Sequence, residues 1–306
     1  MMNTMKKYIL GFVIAVCLWA CSKEDWPSND QLEVNFFAVP EGATGEEAEL
    51  RRKFFDKTGV YLLFSDTLGC RNITTLSGET IVEWQVVDLM WNMNTNSFAD
   101  SLGFFPYQVI GKKEAAAKFV QDELLTGLPE LFYPYSILLT ERLVLFENFY
   151  GTYVPGEVAV YSGMQATAIA LGDIATASDE EKETLKNEIM KAMIVNNLSL
   201  IKDSDLAVFY SYSTDYYDIS SWNVPFPVES VGFLPTYASS WMVTFNTKSL
   251  DVLAYVEEIF NLSETKFRET YAEYSVVIEK MEEMVKVLRK YGKNEASLPY
   301  LWGDGL

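Results

Sequence analysis

The sequence contains no histidine among its 306 residues and only three cysteines. Histidine is the general base of Ser–His–Asp and Cys–His hydrolases and the usual side chain for proton transfer near neutral pH. Its absence excludes those catalytic arrangements and, because cysteine is so scarce, zinc held by histidine or by four cysteines is excluded as well. Any metal would need oxygen ligands, which favour calcium or magnesium. We predict neither a metal site nor another cofactor.

Basic residues are also scarce in this chain. There are 24 Lys and Arg against 43 Asp and Glu, which gives a formal net charge of −19 at pH 7. A surface with this charge repels the phosphates of nucleic acids and anionic lipid headgroups, so we predict neither as a partner. The acidity favours a domain that stays soluble.

The N-terminal segment combines positive charge with an apolar run. Lys6-Lys7 precede a stretch from Tyr8 to Leu18 that is short for a bilayer span but typical of a signal peptide. It ends in Leu18-Trp19-Ala20-Cys21, which resembles a bacterial lipobox. The resemblance implies cleavage before Cys21, loss of residues 1–20 and a diacylglycerol on the cysteine thiol. The loss of two lysines brings the net charge to about −21. An uncleaved N-terminal membrane anchor is the alternative.

The residues that follow the cysteine resemble a sorting signal. Ser22-Lys23-Glu24-Asp25 resembles the acidic export signal of surface-exposed lipoproteins in Gram-negative gut and oral anaerobes. This resemblance implies lipid anchoring to the outer membrane and display on the cell surface. Residues 21–44 hold Pro27, Pro40 and Gly42 among mostly polar side chains, which predicts a lipidated N-terminus and flexible tether. We expect residues 45–306 to form a single globular domain.

Cys70 is the one cysteine that remains beyond the lipidated N-terminus, so no intramolecular disulfide can form. It lies in Thr67–Arg71, a stretch that predicts a turn, and the chain has no histidine to activate its thiolate. We expect Cys70 to be a buried or half-buried apolar side chain and not a nucleophile.

Helical and strand patterns alternate along the remaining chain, which predicts an α+β domain. Helices are predicted at Glu46–Lys57, Lys112–Leu125, Ser178–Asn196, Ser249–Phe260 and Ser263–Tyr291. Strands are predicted at Val60–Phe64, Ile81–Val87 and Ile137–Phe146, with strand and loop over Val158–Leu171.

The last predicted helix carries one apolar stripe with the 3.5-residue heptad spacing. Its members are Phe267, Tyr271, Tyr274, Ile278, Met281, Val285 and Leu288. Three heptads are few for a free coiled coil. We therefore expect a long C-terminal helix packed across the domain, with dimerisation through the stripe as the alternative.

The helix from Ser178 opens with a capping box formed with Glu181. Its apolar residues fall on one side, and Asn187-Glu188-Ile189-Met190-Lys191 puts a polar triplet on the other. This segment resembles the His-Glu-x-x-His helix of zinc metallopeptidase-type lipoproteins encoded beside TonB-dependent nutrient importers. Further segments match that family in the same order, namely Thr58–Phe64, Tyr133–Leu139 and Gly232–Ser240.

The resemblance implies a zincin-type fold and a role for each residue of the motif. Glu188 falls at the general base, and Asn187 and Lys191 fall at the two histidine ligands. Asn is a poor zinc ligand and a Lys ammonium repels the ion, so we predict a degenerate site with no metal and no catalytic residue. The later helix that contains Asp251 offers no ligand that can be assigned. The alternative is an accidental match on a solvated helix face.

Aromatic residues are concentrated between residues 203 and 245. Their faces stack on sugar rings or apolar peptide side chains, and the carboxylates of Asp215 and Asp218 nearby accept bonds from sugar hydroxyls. The ligand-binding candidates in this segment are Tyr212, Tyr216, Tyr217, Trp222 and Trp241. The alternative is that most of these side chains fill the core.

These features favour a non-catalytic, metallopeptidase-like surface lipoprotein. We expect it to bind glycan or peptide as an accessory component of outer-membrane nutrient uptake, with a TonB-dependent transporter complex as its partner. Two alternatives stay open. One is a histidine-independent glycosidase that uses Asp or Glu, and the other is a structural surface lipoprotein that associates with its own copies.

Overall fold

The computed structural model describes residues 34–75, 77–90, 100–220, 223–235 and 246–291. Helices account for 44% and strands for 21% of the structure, and the strands form several sheets. The predicted α+β class is therefore confirmed. The chain divides into two compact units, one formed by residues 1–36 and 70–83 and the other by residues 37–69 and 84–306. The boundary between tether and domain at residue 44 stays a prediction.

The α-helices vary from one turn to almost five. They are α1 Glu46–Thr58, α2 Ile110–Phe119, α3 Asp179–Val195, α4 Ala207–Ser211, α5 Lys248–Asn261, α6 Glu264–Thr270 and α7 Ser275–Tyr291. Helix α2 runs on through a π-helical turn, Val120–Leu124, and a last helical turn, Leu125–Gly127. Short 3-10 helices lie at Glu130–Phe132, Leu198–Leu200, Thr214–Tyr216 and Val228–Val231. Across the described ranges, none of the helices is long and apolar enough to cross a membrane.

The strands belong to three sheets. They are β1 Tyr61–Leu63, β2 Thr67–Thr74, β3 Thr80–Val86, β4 Ser101–Phe105, β5 Ser136–Thr140, β6 Arg142–Phe149, β7 Thr152–Glu157, β8 Val160–Ser162 and β9 Thr167–Ala170. One sheet has four strands in the order β1-β5-β9-β8, another has three in the order β4-β6-β7, and β2 pairs with β3.

The four-stranded sheet is covered on both faces. Ile137 and Leu139 of β5 join the main apolar core, whereas Leu138 between them joins a second cluster with Val87 and Leu143. This follows because successive side chains of a strand point to opposite faces. Strands β1 and β9 run parallel to β5, as in other sheets buried on both sides, and only β8 at the edge is antiparallel.

Helix α1 confirms its sequence prediction and has the expected ends. Its first turn carries Glu46, Glu47 and Glu49, and their negative charges interact favourably with the positive end of the helix dipole. Gly59 ends the helix in the left-handed conformation, with φ of +73°, and its N–H donates to the Phe55 carbonyl. The same conformation would strain any residue with a Cβ.

Two arginines of α1 hold the segment that precedes it. Arg51 donates to the Phe37 carbonyl over 3.1 Å and also to the Leu62 carbonyl of β1 over 2.7 Å. Arg52 donates to the carbonyls of Pro40 and Ala43 over 3.1 and 2.5 Å. The final residues of the predicted tether are thus bonded to α1.

The predicted turn at Thr67–Arg71 is wrong, because these residues lie in strand β2. The turn of the hairpin lies further on, where the Gly78 N–H donates to the Thr75 carbonyl over 2.9 Å. Within the hairpin, Arg71 pairs with Glu83 at 2.5 Å. The side chain of Cys70 is exposed, which contradicts the expected burial. A strand with one face open to solvent exposes alternate residues whatever their polarity.

The predicted strand over Ile137–Phe146 is divided between two sheets. Strand β5 belongs to the four-stranded sheet and β6 to the three-stranded sheet. Glu141 lies between them, and its N–H donates to the Phe105 carbonyl at the end of β4 over 2.8 Å. The chain changes sheets here because β6 pairs with β4, which is distant in sequence, and not with a strand of the four-stranded sheet.

The predicted continuous helix from Ser263 to Tyr291 is wrong, because α6 and α7 are separated by a turn at residues 271–274. The Thr270 hydroxyl donates to the Lys266 carbonyl over 2.8 Å, a bond that often bends helices. The turn also lets Arg268 reach Glu282 of α7 over 2.9 Å. Five of the seven stripe residues are buried in this chain and two are half-buried: Phe267, Tyr271, Met281, Val285 and Leu288, then Tyr274 and Ile278.

Candidate functional site

Helix α3 carries the polar triplet that resembles a metallopeptidase motif. Its capping box is formed as predicted: the Ser178 hydroxyl accepts from the Glu181 N–H, and the Glu181 carboxylate accepts from the Ser178 N–H over 2.7 Å. The apolar face is buried in the main core through Ile189, Met190, Met193 and Ile194. The helix is therefore stabilised at its start and by its packing, and its register is set.

The three residues of this triplet have different surroundings. Glu188 is exposed, and the Lys191 ammonium donates to the Asn261 side-chain oxygen at the end of α5 over 3.0 Å. The Asn187 side-chain oxygen is buried without a hydrogen-bond partner in the described part of the chain. A positive charge is thus held at residue 191, and it repels a cation. Among the residues that the structure describes, no group of three His, Cys, Asp or Glu side chains could hold a metal ion.

A buried ion pair lies between α5 and α7. The Lys280 ammonium is 2.6 Å from the Asp251 carboxylate, and both side chains are almost completely inaccessible to solvent. The ammonium also donates to the Ser213 hydroxyl over 2.7 Å and to the Gly232 carbonyl over 2.9 Å. The Tyr217 hydroxyl donates to the same carboxylate oxygen over 2.5 Å. All three protons of the ammonium therefore have oxygen acceptors.

Aromatic rings enclose this ammonium. The ring centroids of Phe209, Phe233 and Tyr255 lie 4.6, 4.9 and 5.2 Å from the Lys280 nitrogen, within the range of cation–π attraction. Tyr255 donates its own hydroxyl proton to the Gly232 carbonyl over 2.9 Å. The second carboxylate oxygen of Asp251 has no hydrogen-bond partner among the described residues.

Burial changes the titration of this cluster. It lowers the pKa of Lys280 to about 8, although the Asp251 carboxylate opposes the change. Burial also raises the pKa of Asp251, and the Lys280 ammonium acts against that shift. The pKa of Tyr217 is raised by burial and by the adjacent Asp251 carboxylate. Both partners of the pair pay a desolvation penalty, which their contact offsets in part.

The ion pair joins four parts of the chain, and in the described structure its two side chains are almost completely inaccessible to solvent. A serine hydroxyl beside a lysine with a lowered pKa has the composition of a nucleophile and its base. Ser213, however, is completely buried and donates its proton to the Val231 carbonyl over 2.8 Å. The pair therefore fixes two loops that follow α4, at Ser213 and at Gly232, to α5 and α7.

Sequence reasoning did not single out Lys280. The signal that could have found it is its position on the apolar face of α7, where Val277 and Met284 lie three residues before and four residues after it. Such a lysine is buried by the helix register and needs a partner. Its partner, Asp251, is 29 residues away, so the pairing depends on how α5 and α7 pack.

Three of the five predicted ligand-binding aromatics lie within the described residues. Tyr217 is half-buried with its hydroxyl bound to Asp251. Tyr212 and Tyr216 are also half-buried. Trp222 and Trp241 lie outside the described residues. Other aromatic side chains of the same segment, Phe209, Tyr210 and Phe233, are buried in the protein.

An open groove with a volume of about 460 Å³ lies at one edge of the four-stranded sheet. It is located where β5 and β9 begin, where β8 ends and where α3 ends. Its lining residues are Leu89, Met90, Tyr133, Pro134, Tyr135, Tyr161, Ser162, Gly163, Met164, Gln165, Ala166, Thr167, Asn196 and Asn197. Sequence reasoning missed this groove because its parts are separated by up to 108 positions.

Close contacts and hydrogen bonds fix the backbone that forms the walls of the groove. At Gly163 a Cβ atom would lie 2.5 Å from the Leu89 carbonyl oxygen, so the residue 89 segment rests directly on the turn between β8 and β9. That turn is closed by a bond of 2.9 Å from the Gly163 N–H to the Ala166 carbonyl. On the opposite side the Tyr133 hydroxyl donates to the Leu125 carbonyl. The Asn197 amide donates to the Met193 carbonyl over 2.8 Å.

The lining of the groove is polar but uncharged. None of the described residues that line it is Asp, Glu, Lys or Arg. Burial raises the pKa of Tyr161, and Asp100 and Asp88 act in the same direction, so its hydroxyl keeps its proton at neutral pH. The groove can therefore donate and accept hydrogen bonds and can contact an apolar surface through its tyrosine rings. Its described lining offers no carboxylate with which to transfer a proton.

The comparisons with known proteins name no relative for this chain. No family model matches it, and neither curated proteins nor solved structures give a match.

Proposed function

We propose that this chain is a non-catalytic, metallopeptidase-like surface lipoprotein that acts as a binding or accessory component of nutrient uptake at the outer membrane. A lipid on Cys21 would anchor it, and a TonB-dependent transporter complex would be its partner. Three kinds of observation support the proposal, namely the state of the motif on α3, the sequence of the N-terminus and the presence of an open, uncharged groove.

The observation that carries the non-catalytic part is the position of Lys191. The resemblance assigns this position to a histidine ligand, and the Lys191 ammonium donates to the Asn261 side-chain oxygen over 3.0 Å. Glu188, which the resemblance assigns to the general base, is exposed and forms no ion pair among the described residues. A zinc ion needs three ligand atoms to hold and polarise a water molecule, and this helix face supplies none of the expected nitrogen donors.

The lipoprotein part depends on the N-terminal sequence. A positive segment, an apolar run and a cysteine after a small residue occur in the order that lipoprotein processing needs. The acidic tetrapeptide that follows supports display on the cell surface, and the net charge of −19 keeps such a domain away from anionic headgroups.

A zinc titration tests the non-catalytic part. We expect the purified full chain to take up no stoichiometric zinc in equilibrium dialysis. We also expect it to hydrolyse a mixed peptide library no faster than the matched Glu188→Gln variant. Saturable zinc binding together with peptide hydrolysis that Glu188→Gln abolishes would overturn this part of the proposal.

An affinity purification tests the accessory role. The tagged, lipidated protein is isolated from gently solubilised outer membranes, and the proteins that accompany it are identified by mass spectrometry. The matched control is an inert reporter domain that carries residues 1–33 of this chain, because it shares the anchor but not the folded part. Enrichment of a TonB-dependent transporter over the control supports the role, and equal recovery with both baits contradicts it.

A further inference from the structure

We propose that the uncharged groove beside β8 and β9 binds a neutral oligosaccharide. This assignment rests on the proposed binding function and names the class of ligand. It places the ligand in a different part of the chain from the aromatic segment at residues 203–245.

The absence of charge from the groove is the first argument. The chain carries 22% charged residues and a net charge of −19, yet the 14 described lining residues include none. An anionic ligand would meet no cation here and would be repelled by the overall charge. Asp88 and Asp100 act on Tyr161 from outside the described lining, so a cationic ligand would lose its water at the lining without a carboxylate in direct contact, which is costly. A neutral ligand with many hydroxyl groups avoids both penalties.

The second argument is the combination of rings and uncommitted polar groups. Tyr135 is 53% exposed at the groove, and its ring is supported from behind by Phe37 and Tyr61 at centroid distances of 5.0 and 5.1 Å. Within the described part of the chain, no hydrogen bond engages the Tyr161 hydroxyl or the Gln165 amide. A sugar ring offers an apolar C–H face and hydroxyl groups that both donate and accept, which matches these groups.

The third argument is that the walls are formed before a ligand arrives. The groove volume of about 460 Å³ falls within the range of small-molecule sites. The Ser136 hydroxyl donates to the Gln165 carbonyl over 2.8 Å, which fixes the backbone that presents the Gln165 amide. The close approach of Leu89 to Gly163 fixes the opposite wall. Such pre-organised walls reduce the entropy that binding would otherwise lose.

Isothermal titration with defined oligosaccharides tests the assignment. The full, lipidated chain is held in a detergent without a sugar headgroup and titrated with neutral glucan, mannan, galactan, xylan and chitin hexamers. Oligogalacturonate serves as the anionic comparison, and a neutral peptide with blocked ends represents the other class of ligand. We expect saturable binding of at least one neutral hexamer and of neither comparison compound.

Two substitutions locate the binding in the groove. Tyr161→Phe removes one hydroxyl and Gln165→Ala removes one exposed amide, and each is expected to weaken binding about two- to tenfold, as the loss of one hydrogen bond does. Tyr153→Phe makes the same change on exposed strand β7 and is expected to leave the affinity unchanged. Matching melting temperatures for the variants and the parent show that the fold is kept.

The outcomes separate this assignment from the accessory role. Binding of no neutral hexamer, preference for the peptide or oligogalacturonate, or equal affinity in all variants overturns the assignment. If a transporter still accompanies the protein in the membrane purification, the accessory role stands without this ligand. If the hexamer binds in the groove and no transporter is recovered, the assignment stands and the accessory role fails.

Discussion

A lysine enclosed by aromatic rings is held in place by hydrogen bonds to three other parts of the chain. Lys280 has an accessible surface of 0%, and its three protons are taken by Asp251, Ser213 and Gly232. Moving both charges out of water costs several kcal/mol per ion, and their contact compensates only when every hydrogen bond is made. The pair therefore fixes how these parts of the chain are arranged, and it adds little net free energy of unfolding.

Removing one partner of this pair should lower the free energy of unfolding far more than removing both. We expect Asp251→Leu and Lys280→Met each to lower the free energy of unfolding by about 3–5 kcal/mol, because a buried charge is left alone. The double variant should recover most of that loss, to within about 1–2 kcal/mol of the parent. Urea denaturation of the four proteins measures this cycle. Losses in the double variant that equal the sum of the single losses would contradict the expected coupling.

The same lysine predicts a dependence of stability on alkaline pH. The pKa of Lys280 is about 8 in the folded protein and near 10.5 in an unfolded chain. Between these values the unfolded state binds the proton more tightly, so this group makes the free energy of unfolding rise with pH, by on the order of 1 kcal/mol per unit. Tyr217 and Tyr255 keep their protons in the folded protein over this range, because the pKa of each is raised. In the unfolded chain they lose them near pH 10, which opposes the effect of the lysine at the upper end of the range.

The Asp251→Leu/Lys280→Met double variant is the reference for this measurement. It lacks the group that titrates, so the difference in unfolding free energy between the parent and the double variant should increase from pH 8 to pH 10. A flat or falling difference over that range shows that the lysine is not deprotonated in the folded state.

At the scale of elements, the turn between β8 and β9 depends on one glycine. A Cβ at Gly163 would lie 2.5 Å from the Leu89 carbonyl oxygen, a distance at which the backbone must move. We expect Gly163→Ala to lower the free energy of unfolding by about 1–3 kcal/mol, the usual cost of overpacking. Denaturant unfolding of both proteins gives the difference.

Gly156→Ala is the matched control for that substitution. Gly156 lies on β7, and a Cβ there would meet no atom within 4 Å. The change should therefore stay within about 0.5 kcal/mol of the parent. If both variants lose the same stability, the loss reflects the glycine backbone in general and not the contact with Leu89.

Elements with local end signals could be predicted, and elements defined by distant partners could not. Helices α1 and α3 were predicted almost to the residue, since Gly59 and the Ser178–Glu181 capping box mark their ends within a few positions. Strand β2 was missed, because its conformation comes from pairing with β3 across a hairpin. The division of the last helix was missed for another reason. The heptad stripe continues through the turn at residues 271–274, so the sequence pattern does not mark the break.

At the scale of the whole molecule, the expected anchor lies outside the described residues and rests on Cys21. We expect Cys21→Ser to abolish lipidation, since serine has no thiol for the diacylglycerol, and to release the protein from the membrane fraction. Intact-mass measurement and membrane fractionation check both effects. A variant that stays in the membrane after alkaline washing would indicate the uncleaved N-terminal anchor instead. Cys70→Ser is the control, because that exposed thiol has no predicted role in anchoring.

The sequence by itself determined that imidazole chemistry is absent and predicts a lipid anchor. The absence of histidine excludes imidazole catalysis, and the order of lysines, apolar run and cysteine predicts a lipid anchor, because both depend only on composition or on adjacent residues. Only the tertiary structure decided which residues meet. It paired Lys280 with Asp251 and assembled the groove from segments as distant as Leu89 and Asn197, because helix and sheet packing, not chain proximity, sets those distances.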